Sequence, residues 1–125
     1  MKTSIYTQHF EHTEWLNALS FYKDELSILK SRLEEIARKN TSKEILARVE
    51  HFQNQFIIQE KNIDDIREEI TKDEKKIAAN VTNNPIATYH RKSEDHSFER
   101  DEVESFEKNF EDLRKEFKTF LFKWM

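Results

Sequence analysis

The sequence predicts an all-α protein, an antiparallel three-helix bundle that forms a long up-down-up, coiled-coil-like rod. Two observations predict this fold class. Apolar residues recur at alternating steps of three and four along three long segments, as they do on one face of a helix. The 125 residues also include no glycine and one proline, where average usage gives about nine and six. Sheets joined by tight hairpins are therefore disfavoured, and residues 1–125 are expected to form a single domain.

The first helix is predicted over approximately residues 4–40. The face expected to be buried, called here its seam, runs through Ile5, Gln8, His12, Trp15, Leu19, Tyr22, Leu26, Leu29, Leu33 and Ile36. Most of these residues are apolar, and their spacing is typical of an amphipathic helix with a seven-residue repeat. The segment NTSKE follows at residues 40–44. In it, Thr41 and Glu44 have the spacing of a capping box and predict the start of the next helix.

The second helix is predicted over approximately residues 42–79. Its seam runs through Ile45, Val49, Phe52, Phe56, Gln59, Ile63, Ile66, Ile70, Asp73 and Ile77. The stretch NVTNNP at residues 80–85 then interrupts the pattern. Asn-Asn favours turns, and proline disfavours helical geometry in the residue before it.

The third helix is predicted over approximately residues 86–125. Its seam runs through Tyr89, Lys92, His96, Glu99, Val103, Phe106, Phe110, Leu113, Phe117, Phe120 and Trp124. The first four members are mostly polar and give a weak seam, so a loop or disordered stretch over residues 80–96 is an open alternative to a helix there.

Short connections make successive helices antiparallel. Folding the chain at either break predicts the same layers of facing residues, and agreement between two independent turns supports the register. One layer holds His12, Ile70 and His96, and another holds Tyr22 and Gln59, which we expect to form a buried hydroxyl–amide pair. Helices of this length make a rod of roughly 55 Å.

The predicted architecture resembles a spectrin-type three-helix bundle, a likeness of shape that implies no function. Three stretches, EHTEWLNALSFYKDEL, VEHFQNQFIIQ and FKTFLFKWM, also look similar to small uncharacterised bacterial helical proteins. That resemblance spans most of the chain and implies a helical fold. It supplies no activity, cofactor or catalytic residue to transfer.

Composition narrows the classes of function. Charged residues make up 37% of the chain, 21 basic against 25 acidic, for a net charge of −4, whereas a nucleic-acid surface needs a basic stripe. The absence of cysteine excludes disulfides and thiolate metal sites. The longest apolar runs fall far below the roughly 18 residues of a membrane span, and MKTSIYTQ has no apolar signal segment. We therefore expect a cytoplasmic protein without nucleic-acid partners or a transmembrane segment.

Histidines and carboxylates gather at one end of the predicted bundle. In TYHRKSEDH, residues 88–96, His90 and His96 are six residues apart. Side chains at that spacing on a helix point about 240° apart and do not share a metal ion. His96 instead falls in the layer of His12, with His9 one turn away, and the adjoining layers contain carboxylates.

These residues define an alternative function, a site for a metal ion such as zinc or iron, or for a small ligand. The candidate ligands are His9, His12, His96, Asp73 and Glu99, because bundles hold such metals with imidazoles and carboxylates from facing helices. The Glu-x-x-His pairs of di-iron carboxylate bundles are missing. One alternative is that the polar residues of the seams fix the register of the helices near a frayed end of the bundle. Another is a pH-sensitive end, because two facing histidines repel each other when both are charged.

Several apolar residues fall outside the seams and predict a partner surface. They are Phe21, Ile28, Ile57, Ile58 and Phe122. A cluster of exposed apolar side chains suggests a protein partner or a homodimer contact, although the flanks of a bundle can also cover one or two of them. Helical hairpins exchanged between chains would satisfy the same seams.

The chain has neither a glycine-rich phosphate loop nor a nucleophile with a base beside it, so we do not expect an enzyme. The leading prediction is a non-catalytic protein-interaction or scaffolding module without a cofactor, which self-associates.

Overall fold

The computed structural model describes residues 5–80 and 85–125, with side chains described for residues 6–79 and 96–125. It contains α1 (Ile5–Lys39), α2 (Lys43–Asn80) and α3 (Pro85–Trp124). Each helix packs against both others, which confirms the predicted three-helix bundle. Over the described residues, none of these helices has the length and apolar character needed to cross a membrane.

The sequence leaves residues 80–96 open between a helix and a loop. Asn80 is the last residue of α2, and the described backbone from Pro85 onward belongs to α3. Residues 81–84 and the side chain of His90 lie outside the described residues.

Ion pairs between α1 and α2 show that these helices are antiparallel. Lys23 Nζ lies 3.0 Å from Asp64 Oδ1, and Lys30 pairs with Glu60. Lys30 comes later in α1 than Lys23, whereas its partner Glu60 comes earlier in α2 than Asp64. The two helices therefore run in opposite directions, as the predicted register requires.

Pairs between α1 and α3 show the opposite relationship. Glu11 accepts a hydrogen bond from Arg100 at 2.7 Å, and Glu25 accepts one from Arg114 at 2.9 Å. Both pairs are 89 residues apart in the chain, so α1 and α3 run parallel and the topology is up-down-up.

The predicted seams form the core. Every seam residue with a described side chain is buried or partly buried, because the seven-residue repeat keeps one face of each helix turned inward. The end near the first connection is aromatic: the ring of Phe52 lies 5.1 Å from those of Phe117 and Phe120. Burying a phenylalanine side chain adds about 1.5–3 kcal/mol to the free energy of unfolding. The opposite end is polar.

The start of α2 is capped one residue later than the capping-box spacing predicts. The backbone N–H of Ile45 donates to Ser42 Oγ at 3.2 Å. The helix begins at Lys43, so Ser42 and not Thr41 is the residue whose side chain can reach the exposed amides of the first turn. The predicted capping role of Thr41 is wrong for this reason.

The predicted pair of Tyr22 and Gln59 is not formed. The Tyr22 ring packs on α3, with centroids 5.4 Å from Phe106 and 4.7 Å from Phe110. Its hydroxyl donates to Glu107 Oε2 at 3.1 Å. Tyr22 therefore turns away from α2, and the buried Oε1 of Gln59 has no hydrogen-bond partner among the described residues.

Candidate metal centre

Three buried side chains converge at the polar end of the bundle. His12 comes from α1, and His96 and Glu99 come from successive turns of α3; their exposed fractions are 1%, 1% and 2%. His12 Nε2 lies 3.0 Å from Glu99 Oε1 and 3.3 Å from His96 Nδ1. All three potential ligand atoms lie within 4.8 Å of one another. We call these residues the triad.

The outer nitrogen of His12, meaning the ring nitrogen that faces away from the triad, forms a hydrogen bond with a residue of α2. His12 Nδ1 lies 2.6 Å from Glu74 Oε1. A carboxylate oxygen accepts hydrogen bonds, so Nδ1 carries the proton and donates it to Glu74. This contact fixes the orientation of the imidazole ring.

The outer nitrogen of His96 is held in the same manner by α1. His96 Nε2 lies 3.1 Å from Glu11 Oε1, and Arg100 Nη2 donates to that same oxygen at 2.7 Å. Although burial alone would raise the pKa of Glu11, hydrogen bonds from Arg100 and His96 hold it below its usual range. Glu11 is therefore ionised and accepts the proton of His96 Nε2.

The inner atoms of the triad are consequently all acceptors when both histidines are neutral. A neutral imidazole carries one proton, and in each ring that proton is directed to an outer carboxylate. The lone pairs of His12 Nε2 and His96 Nδ1 then face each other and Glu99 Oε1. Such a group is stable in a buried site only when a proton or a metal ion lies among these atoms.

The pKa values of the triad show how protons meet this need without a metal. Burial opposes charge on His12, but hydrogen bonds to Glu99 and Glu74 outweigh it and raise the pKa of His12. Burial, with the nearby charge of His12, lowers the pKa of His96. Burial raises the pKa of Glu99 to about 7, and the neighbouring Asp73 adds to this effect. Protons are thus held between His12 and Glu99 near neutral pH.

The triad also has dimensions suited to a transition metal. Nitrogen and oxygen ligands lie about 2.1 Å from zinc, so two ligands at the tetrahedral angle are about 3.4 Å apart. The distances from His12 Nε2 to Glu99 and to His96, 3.0 and 3.3 Å, are close to this value, and all three ligand atoms lie within 4.8 Å of one another. Two imidazoles and one carboxylate suit zinc and iron(II). The outer nitrogen of each histidine also pairs with a carboxylate, as the second ring nitrogen of a metal-bound histidine commonly does.

The structure places the other two predicted ligands outside the triad. His9 is on the surface, with its side chain 69% exposed, and its Nδ1 lies 2.8 Å from Glu74 Oε2. It therefore reaches His12 only through the shared carboxylate. Asp73 is 9% exposed and close enough to Glu99 to affect its pKa.

An aromatic ring covers His96. The indole of Trp15 stacks on this imidazole with a centroid distance of 4.8 Å and an interplanar angle of 23°. Trp15 is partly buried against the core. It therefore restricts the ring of His96 and provides a spectroscopic reporter of its state.

Sequence reasoning missed Glu74, Glu11 and Arg100. These residues lie beside the seams, where charged residues are common and most are solvated. Their positions in the sequence could have indicated this role, because Glu11 directly precedes His12 and Glu74 directly follows Asp73. A carboxylate that flanks the seam in the same layer as a seam histidine is a candidate to orient its ring.

The apolar residues of the predicted partner surface are distributed over all three helices. Phe21 and Ile28 are 65% and 59% exposed and lie two turns apart on α1. Ile57 lines a groove with residues of α1, and Ile58 lines a groove with residues of α3. Phe122, 85% exposed, lies near the end of α3. Ile57 and Ile58 therefore do not share one groove.

Comparisons with models of known protein families, with curated protein sequences and with solved structures find no match to this chain. The function must therefore be argued from the chemistry of the triad.

Proposed function

We propose that the protein is a metal-binding helical bundle that holds one divalent transition-metal ion, zinc or iron(II), through the triad. The observation that carries this proposal is that the outer ring nitrogen of each histidine lies against a carboxylate oxygen. Glu74 and Glu11 accept the outer protons of the two histidines, so the inner lone pairs face Glu99. The metal-binding alternative from the sequence thereby becomes the leading proposal, and the proposed activity is binding without catalysis.

A metal ion at this position would link helices that are distant in sequence. Its ligands come from α1 and α3, while α2 contributes the carboxylate that orients His12. Binding would therefore stabilise the polar end, where the core is less apolar than at the aromatic end.

The test is thermal unfolding of chelator-stripped protein with and without Zn²⁺, Fe²⁺ or Mn²⁺. Zn²⁺ or Fe²⁺ should raise the melting temperature, because binding to the folded state adds about 2.7 kcal/mol to the free energy of unfolding when free metal is a hundredfold above Kd. The His12→Ala/His96→Ala variant should lose this rise. His51→Ala is the matched control, because His51 also pairs with a glutamate of a neighbouring helix but is exposed and distant from the triad. If no metal changes the melting temperature of the unmodified protein, the proposal is wrong.

One observation favours a second function, the self-associating interaction module predicted from the sequence. Phe21 and Ile28 expose large apolar side chains on one face of α1, and exposed apolar surface is typical of protein contacts. We propose this face as the contact, either with another protein or between two copies of the chain. This role does not compete with metal binding, because the two residues are outside the triad.

A further inference from the structure

The ligands of the proposed metal site are enclosed. His12, His96 and Glu99 are each at most 2% exposed, so a cation needs a path to them. A hollow of about 260 Å³ lies in the groove between α2 and α3, lined by Glu69, Lys72, Asp73, Lys76 and Phe98. It lies beside the triad because Asp73 belongs both to its lining and to the surroundings of Glu99.

Glu99 has bonding capacity left on its second oxygen. Oε1 faces His12, whereas Oε2 is buried without a hydrogen-bond partner among the described residues. Asp73, which lines the hollow, lies beside Glu99. Two carboxyl groups thus adjoin each other between the hollow and the triad, and their oxygens are potential ligands for a cation.

A second carboxyl pair lies one turn further along the groove. Burial raises the pKa of Glu102 to about 7, and the charge of Glu69 adds to this effect. Oε1 of Glu102 is buried without a hydrogen-bond partner in the described part of the chain. Glu102 lines a larger hollow of about 480 Å³, and both hollows share Phe98. The two acidic pairs therefore lie at neighbouring hollows between α2 and α3.

We propose that divalent metal ions reach the triad through this α2–α3 groove, and that Glu69, Glu102 and Asp73 are positioning residues that bind the ion transiently and pass it to Glu99. This inference rests on the proposed metal site and assigns a role to carboxylates that are not among its ligands. Carboxylates on the path raise the local concentration of cations and so increase the association rate.

The groove also contains charges of the opposite sign. Lys72 Nζ lies 3.0 Å from Glu68 Oε1, so that its charge is partly offset. Lys76 lines the same hollow as Asp73 and should repel an incoming cation. Removing the charge of Lys76 and removing that of Glu102 should therefore change the association rate in opposite directions.

The test is stopped-flow binding of Co²⁺ to the full chain, followed by Trp15 fluorescence. The chain has two tryptophans, so all variants carry Trp124→Phe, which leaves Trp15 beside His96 as the sole reporter. Glu102→Gln should lower the association rate constant about threefold or more, and Lys76→Gln should raise it. Glu104→Gln, an exposed α3 position outside both hollows, is the control of equal charge change and should have little effect.

Dissociation rates complete the test. They should change by the same factor as the association rates, because residues that bind the ion only on its path leave its equilibrium affinity for the triad unchanged. Glu69→Gln should repeat the result of Glu102→Gln and provides a second variant should the first fold poorly. If the parent binds Co²⁺ but association is unchanged in Glu102→Gln, Glu69→Gln and Lys76→Gln, the access path is wrong and the metal site stands. If the parent binds no Co²⁺ and neither Zn²⁺ nor Fe²⁺ raises its melting temperature, both proposals are wrong.

Discussion

His12 Nε2 and His96 Nδ1 lie 3.3 Å apart at the centre of the polar end, although 84 residues separate them in the chain. Two buried ring nitrogens at this distance need a proton or a cation between them or beside them. The molecule supplies Glu99 next to both and directs the outer nitrogens to Glu74 and Glu11. This arrangement is costly for a metal-free core.

Glu99→Gln should stabilise the metal-free protein at pH 7 and abolish metal binding. The pKa of Glu99 is 4.5 in the unfolded reference and about 7 in the fold. The folded state therefore binds more protons between these values, and the free energy of unfolding falls as pH rises through the window. One proton corresponds to at most about 1.4 kcal/mol per pH unit. Glutamine is neutral at every pH and removes this fall.

The raised pKa of His12 acts in the same direction, since its stabilising charge is present below about pH 6.5 and is lost as pH rises. The lowered pKa of His96 acts oppositely: its contribution is present above about pH 6.5 and is lost as pH falls. Urea unfolding with chelator from pH 4.5 to 7.5 measures the sum. The variant's advantage should grow with pH, whereas Glu104→Gln should follow the parent. A Glu99→Gln protein less stable than the parent at pH 7 would contradict this prediction.

Glu74→Gln should weaken metal binding while leaving all three ligands in place. Glu74 accepts the proton of His12 Nδ1 at 2.6 Å, and a neutral amide is a weaker acceptor that leaves the ring less firmly oriented. Loss of such a partner typically lowers metal affinity about 10–100-fold. Competition with a chromogenic chelator measures the affinity. Glu50→Gln, at an exposed position of α2, is the control, and equal affinities of the two variants would refute the orienting role.

The core could be predicted from the sequence because its signal is local and repeated. The seams identify the buried face of each helix from Leu19 and Leu26 on α1 to Phe110 and Phe117 on α3. The same pattern identifies the polar residues that become buried, His12 among them. Equal helix lengths and short connections then leave one register for the three faces.

The partners of those residues could not be predicted in the same way. Glu11 and Glu74 are two among 25 acidic residues, and the seven-residue repeat does not specify how far each flanking side chain leans toward a neighbouring helix. Tyr22 shows the same limit. Its place on the seam is clear from spacing, but the lean of its ring toward Phe110 depends on packing that only three assembled helices define.

Gln59→Leu should stabilise the protein by about 1 kcal/mol, because a buried polar group without a partner costs free energy. Gln59 is 6% exposed and its Oε1 has no hydrogen-bond partner among the described residues. Chemical denaturation measures the change. Gln53→Leu, at an exposed position of α2, should shift stability by less than about 0.5 kcal/mol. Destabilisation by Gln59→Leu would show that the amide contributes more to the fold, for example to register, than its burial costs.

Phe21→Glu/Ile28→Glu should abolish self-association. The two side chains are 65% and 59% exposed on α1, and charged residues there would have to be desolvated in a contact between two copies. Light scattering coupled to size exclusion should give the parent twice the 15.2 kDa of one chain and the double variant the mass of a single chain. Phe122→Glu, near the far end of α3, should keep the mass of the parent.

A double variant that keeps the dimer mass would favour helical hairpins exchanged between chains, since that contact uses the seams and leaves the outer face of α1 free. A parent with the mass of one chain would remove self-association altogether.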